Sequence, residues 1–313
     1  MAVMLLSPCA ASAQAWPSQP VTMMVPFPAG GTADLFARGI ARALSDELGQ
    51  PFVVENRAGA GGNLAAVPIA KAAPNGTILL FASQAQAALN KFMFKSLPYD
   101  PARDLVPAVL VVKSPIATVA GMDAPVKSFQ ALLDHAKADP GKLNVGHAGI
   151  GSMAHVALEL MQLKAGIKLS GVPYRGGAPM VTDLLGGHLP LSSDLLSNFV
   201  RLAKESRVRL LAVATARRIS DLPDVPTVEE LIHAPFEAAA WFAIMAPAGT
   251  PAGILQKINA ISNRYLQSAG GKDLIAKQAV EAGGGTPADA ATFIRLELER
   301  WEPVIKAATI SLD

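Results

Sequence analysis

The sequence predicts an α/β fold in two lobes, each a mixed sheet flanked by helices, with two crossover segments forming a hinge. Three observations predict it. Short β-prone runs alternate with helical stretches whose apolar residues recur every three or four positions. The alternation is interrupted at Ser114-Pro115 and then resumes. An extended run, 236–246, is followed by two long helical segments that can return to the first block. At 313 residues the chain is long enough for two cores.

Residues 1–15 stand apart. Ala2 to Leu6 is apolar, and Ala13-Gln14-Ala15 supplies the small residues of a cleavage site ahead of Trp16-Pro17, so the segment reads as a secretory signal peptide. It lacks a positively charged start and is too short to span a bilayer. Cys9, the only cysteine, falls inside it, and Pro8 in front of it argues against lipidation. The mature chain is then cysteine-free, which excludes thiol catalysis, disulfides and cysteine-based metal sites. A net charge of +2 with no basic run argues against nucleic acid.

The first block opens with a strand over 21–25. Pro26 and Pro28 stop it, Gly30-Gly31 turn the chain, and a helix follows with Phe36, Ile40, Ala43, Leu44 and Leu48 on one face and Gly49 at its end. A strand over 52–55, a glycine loop over 56–63 and a helix over 64–73 repeat the unit. Strands over 77–82 and 105–112 complete the block, with the first crossing at 113–116. The second block has a strand over 116–120, a helix from the Ser128 cap to 138, and a strand over 143–145 that enters another glycine loop. Helices over 153–164 and 179–185 and strands over 189–194 and 209–214 follow. Thr227 to Glu230 has a capping-box pattern. The final helices, 251–266 and 287–308, pack on the first block, the latter through Phe293, Leu296, Trp301 and Ile305.

Two loops carry the functional expectation. Phe27, Ala29, Gly30, Gly31, Thr32 and Asp34 bring a row of free N–H groups to a helix start, and His147, Gly149, Gly151, Ser152 and His155 repeat that logic in the other block. Opposed across a cleft, two such helix N-termini suit a small dicarboxylate. Asp194, ending an apolar strand, either satisfies a buried N–H or tyrosine hydroxyl or receives a ligand ammonium or hydroxyl.

Other chemistries fit less well. Ser152, His155 and Asp194 are the residue types of a triad, but the chain has no Gly-x-Ser-x-Gly elbow. His155 and Glu159 lie one helical turn apart, and no second histidine completes a zinc motif. Gly59-Ala60-Gly61 lacks the third glycine of a dinucleotide fingerprint.

Seven motifs in register resemble one family, the tripartite tricarboxylate transporter substrate-binding receptors, or Bug proteins, of Gram-negative bacteria. They are Trp16-Pro17-Ser18-Gln19-Pro20, the stretch from Val25 to Gly31, Val54 to Asn63, Leu97 to Pro101, Val172 to Pro179, Leu222 to Thr227 and Ala246 to Pro251. The resemblance spans the mature chain. It implies a type II periplasmic binding fold that closes on a small organic acid, held through backbone groups and water by loops 27–34 and 147–155, with Ser83 and Asp194 lining the cleft. It implies one lobe of residues 16–115 plus 237–313 and another of 116–236, a periplasmic location, membrane permease partners, a monomer, and neither cofactor nor metal. His147 and Ile150 depart from the small or polar residues usual there, and Leu189 to Asp194 departs from the usual strand, which leaves the ligand open. The expectation is a solute-binding receptor without chemistry of its own; the alternative is a secreted α/β hydrolase of small esters.

Overall fold

A computed structural model describes residues 16–312; the expected signal peptide lies outside them. Ten strands run β1 (Val21–Val25), β2 (Phe52–Asn56), β3 (Ile78–Ser83), β4 (Leu105–Gly121), β5 (Asn144–His147), β6 (Ser170–Pro173), β7 (Leu191–Leu195), β8 (Val208–Val213), β9 (Ala239–Pro247) and β10 (Glu281–Gly284). The helices are α1 (Thr32–Leu48), α2 (Asn63–Ala70), α3 (Asn90–Met93), α4 (Pro101–Asp104), α5 (Phe129–Ala138), α6 (Met153–Ala165), α7 (Gly177–Leu185), α8 (Val200–Lys204), α9 (Val228–Ile232), α10 (Ala252–Gln267), α11 (Ala269–Gln278) and α12 (Pro287–Ala307).

The strands form one curled mixed sheet in the order β2-β1-β3-β9-β4-β7-β5-β6, with β8 and β10 also on β4. β1 is parallel to β2 and β3, and β5 is parallel to β6 and β7. β4 and β9 run antiparallel between these two parallel sets.

β4 corrects the expected break at Ser114-Pro115: it is one strand of 17 residues. Pro115 does not end the strand because it marks a change of partner, with Pro115 opposite Ala239 of β9 and Ile116 opposite Leu195 of β7. A residue with no N–H is tolerated where the ladder is being exchanged.

Helix α1 shows how local sequence fixes burial. Phe36, Ile40 and Leu44 are fully buried at helical spacing, and Gly49 closes the helix in the left-handed conformation at φ 71°. In α12 the buried line is Ile294, Glu297, Trp301 and Ile305, whereas Leu296, expected inside, is 51% exposed. Glu297 takes the inner position because its carboxylate accepts from the indole N–H of both Trp241 and Trp301, each at 3.1 Å. α11 and β10 were not expected: Gly270 and Gly271 in the first turn of α11 dilute its helical pattern, although Ser268 caps it. α2 stops at Ala70, three residues short of the expected end, and α7 starts two residues early at Gly177.

One apolar core runs between the two parallel sets. Ala65, Ile69 and Met93 meet Val156, Ala157 and Leu160 of α6 and Trp301 and Ile305 of α12 within it. Burial at about 25 cal/mol per Å² of apolar area makes such a cluster a main force holding the two sets together.

Candidate functional site

The loop between β1 and α1 is held by its own acid. Asp34 accepts from the Gly30 N–H at 2.9 Å, from Arg38 Nε at 3.0 Å and from Asn56 Nδ2 at 2.9 Å. Asn56 also donates to the Phe27 carbonyl at 3.1 Å. Burial opposes the charge on Asp34, but the Arg38, Gly30 and Asn56 hydrogen bonds prevail and hold its pKa below the usual value. Asp34 is therefore committed to shaping the loop. Gly30 needs its positive φ of 85°, whereas Gly31, at φ −80°, ψ 171°, is extended. Among the described residues, the N–H groups of Gly31, Thr32 and Ala33 have no protein acceptor. Ala29 is exposed in the turn, and Phe27 packs edge-on against Phe242.

Thr32 does what its place at the helix start did not reveal. Its hydroxyl donates to Gln278 Oε1 at 3.0 Å and lies 3.2 Å from the Ser197 hydroxyl, just beyond β7. A hydroxyl has one proton, so Ser197 is the donor in the second contact.

The loop between β5 and α6 is organised by two imidazoles. His147 and His155 stack with ring centroids 4.6 Å apart and an interplanar angle of 14°. The Gly151 N–H donates to His155 Nδ1 at 3.1 Å, the Gly149 N–H lies 3.3 Å from His147 Nδ1, and Ser152 Oγ accepts from the His155 backbone N–H at 3.2 Å. Burial, assisted by the neighbouring His155, pushes the His147 pKa down to about 4, and burial lowers that of His155. Both rings are neutral at pH 7. His155 accepts at Nδ1, so its proton sits on Nε2, 3.9 Å from Glu159 Oε1. Gly151 thus spends its N–H inside the loop, whereas His147 Nδ1 faces both the carbonyl of Gly149, at 3.1 Å, and its N–H, and serves one of them according to its tautomer. Met153 and Ala154, in the first turn of α6, keep theirs without an acceptor among the described residues.

Ser83 and Asp194 lie at the carboxyl ends of β3 and β7. The Ser83 hydroxyl donates to Gln86 Oε1 at 2.9 Å and receives the Ala85 N–H at 3.2 Å, so it is committed within its turn. Gln86 sits in a π-helical turn, 85–89, and its amide donates to the Gly61 carbonyl at 2.9 Å. Asp194 is 1% exposed; Oδ1 accepts from the Leu195 N–H at 2.7 Å, and Oδ2 has no partner among the described residues. Burial pushes its pKa up to about 7. Oδ2 faces the start of α7, where a Cβ on Gly177 would lie 3.5 Å from it and 2.5 Å from Asn198 Nδ2.

Among the described residues the side chains of Ser152, His155 and Asp194 share no hydrogen bond with one another; each accepts from a backbone N–H instead. The arrangement lacks the nucleophile-base contact that acyl transfer needs. Among the described residues no three metal-ligating side chains converge, and no helix is long and apolar enough to cross a membrane. Ser197, Asn198, Gln86 and Gln278 were not anticipated. The polar pair Ser197-Asn198 inside the apolar run 195–200 was the one available signal.

Comparison with known proteins places this geometry in context. Residues 36–310 match the profile of the tripartite tricarboxylate transporter family receptors. BugT of Bordetella pertussis is 38% identical over 296 residues, 94% of this chain and 91% of BugT. An R. palustris protein solved with adipate superposes with a TM-score of 0.88 at 36% identity, covering 95% of this chain and 99% of that one. MatC from Rhodopseudomonas palustris, solved with bound malate, gives 0.84 at 31% identity over 93% and 100% of the two chains.

Proposed function

We infer the role of this chain from the family to which it belongs, the tripartite tricarboxylate transporter receptors: it is a periplasmic solute-binding receptor. Beyond that, we propose that it captures a small di- or tricarboxylate, acidic amino acid or related organic acid between two lobes, residues 16–115 with 237–313 and residues 116–236. It passes the acid as a monomer to the membrane subunits of a transporter. It reaches the periplasm through a signal peptide removed ahead of Trp16.

The contact between Thr32 and Ser197 carries this reading: it sets the start of α1 against the end of β7, and β7 lies parallel beside β5, whose carboxyl end leads into the second loop. The unpaired N–H groups of Gly31, Thr32 and Ala33 on one side, and of Met153 and Ala154 on the other, then converge on an anion from two helix N-termini. The adipate and malate bound by the two structural relatives support a carboxylate as that anion.

Calorimetric titration of the purified protein with succinate, malate, adipate and citrate tests the proposal. Saturable binding of at least one acid, without turnover of a p-nitrophenyl ester, is expected. Ester turnover abolished by Ser152→Ala would establish the hydrolase reading instead.

A further inference from the structure

One of the seven motifs, Val172 to Pro179, plays no part in the two loops described above. It covers the end of β6 and the start of α7. β6 and β7 flank β5 and run parallel to it, so the carboxyl ends of all three strands emerge at one end of the sheet, where ligands of open α/β folds bind. The motif stays beside the second loop, since the Tyr174 N–H donates to the His147 carbonyl at 2.9 Å. α7 then begins without a side-chain cap, and the N–H groups of Gly177 and Ala178 have no acceptor among the described residues.

Two side chains close on this helix start. A Cβ on Gly177 would lie 2.5 Å from Asn198 Nδ2 and 3.5 Å from Asp194 Oδ2. Asp194 is 1% exposed, and Oδ2 has no partner among the described residues. Between these two residues Ser197 lies 3.2 Å from the Thr32 hydroxyl, so the segment 194–198 touches the starts of both α1 and α7.

We propose that the start of α7, with Asp194 and Asn198, is a third subsite that takes a hydroxyl carried by the bound acid, which makes hydroxy di- or tricarboxylates the preferred class. The inference rests on the carboxylate-binding reading above. Oδ2 calls for a donor when the carboxyl is ionised and an acceptor when it is protonated, while the Asn198 amide and the two N–H groups call for acceptors. A hydroxyl, with one proton and two lone pairs, serves both sets. An ammonium has donors only and would face the amide, the N–H groups and the positive end of α7; a methylene would leave all of them unpaired. A further carboxylate would set its charge against an ionised Asp194.

The test compares acids that differ by one hydroxyl, succinate with malate and tricarballylate with citrate, by calorimetric titration of the full chain. In the wild type the hydroxy acid of at least one pair should bind at least tenfold tighter than its partner, the effect of one good hydrogen bond to an acid. Asp194→Ala and Asn198→Ala should each bring that ratio down toward one, while the acid without the hydroxyl keeps its affinity. Gly177→Ala should do the same, because its Cβ displaces the Asn198 amide at a position with no positive φ, and it serves if Asp194→Ala does not fold. An equal loss for both members of a pair would overturn the proposal, since these residues would then only support the fold. Tighter binding of aspartate than of malate would also overturn it, by assigning the subsite to an ammonium. A ratio near one in both wild-type pairs, with succinate bound, would overturn the hydroxyl subsite and leave the carboxylate reading standing; no binding of any of these acids would overturn both.

Discussion

The hydroxyls of Thr32 and Ser197 lie 3.2 Å apart, although 165 positions separate them in the chain. Thr32 starts α1 just after β1 of one parallel strand set and Ser197 follows β7 of the other, so the contact bridges the two sets. Its proton comes from Ser197, because Thr32 has given its own to Gln278. Thr32→Ala and Ser197→Ala should each weaken carboxylate binding by about 0.5–1.5 kcal/mol, and the double variant should lose less than the sum. Calorimetric titration of the four proteins measures this, and strict additivity would separate the contact from closure.

Gly31 separates ligand approach from backbone need. Its extended conformation suits any residue, and the nearest atom to an added Cβ is the Pro28 carbonyl oxygen at 4.0 Å. Gly31→Ala and Gly31→Val should therefore melt close to the wild type. Gly31→Val should lose at least tenfold in carboxylate affinity, about 1.4 kcal/mol, as its bulk covers the Thr32 and Ala33 N–H groups. Gly30→Ala, at φ 85°, should instead lose about 1 kcal/mol of stability. Full affinity in Gly31→Val would place the ligand away from this loop.

The buried histidines link stability to acidity. The folded pKa of His147 is depressed to about 4 from an ordinary 6.5, so the unfolded chain takes up the proton first. That stabilisation is complete above pH 6.5 and is lost as pH falls toward 4, by about 3 kcal/mol at most. His155 acts in the same direction, and Glu159 beside it, its pKa raised by burial, acts in the opposite one. Urea unfolding between pH 7.5 and 4.5 should show a shallower decline for His147→Gln than for the wild type. Parallel profiles would show that His147 titrates normally.

Asp194 has the opposite sign. Its pKa is raised from 3.8 to about 7, so its contribution is intact below pH 3.8 and is lost as pH rises through 7. Asp194→Asn should thus be more stable than the wild type at pH 8, on the order of 2 kcal/mol, and gain nothing at pH 4. Thermal melts at the two pH values report this directly. In binding, the same change should be neutral or favourable for a purely anionic acid and should cost about 1.5–3 kcal/mol for one that presents an ammonium.

Local pattern located β1, β2, β3, β5, β7, β8 and β9, the α1 core face of Phe36, Ile40 and Leu44, and the two glycine loops, because each depends on neighbours within a turn or two of the chain; it missed β6 and β10 and split β4. The seven motifs identified the family on the same local basis. Which polar groups in those loops remain available was decided by tertiary structure. Asp34 and Ser83 are taken up by Arg38, Asn56 and Gln86, and the Gly151 N–H by the His155 imidazole, since a buried donor or acceptor binds whatever partner the fold brings within reach. Ser197 and Gln278 reach Thr32 from distant segments only after β4 has exchanged β9 for β7 at Pro115 and the chain has returned through α11. Local pattern records which face of an element is buried; it does not record which distant side chain will lie against it.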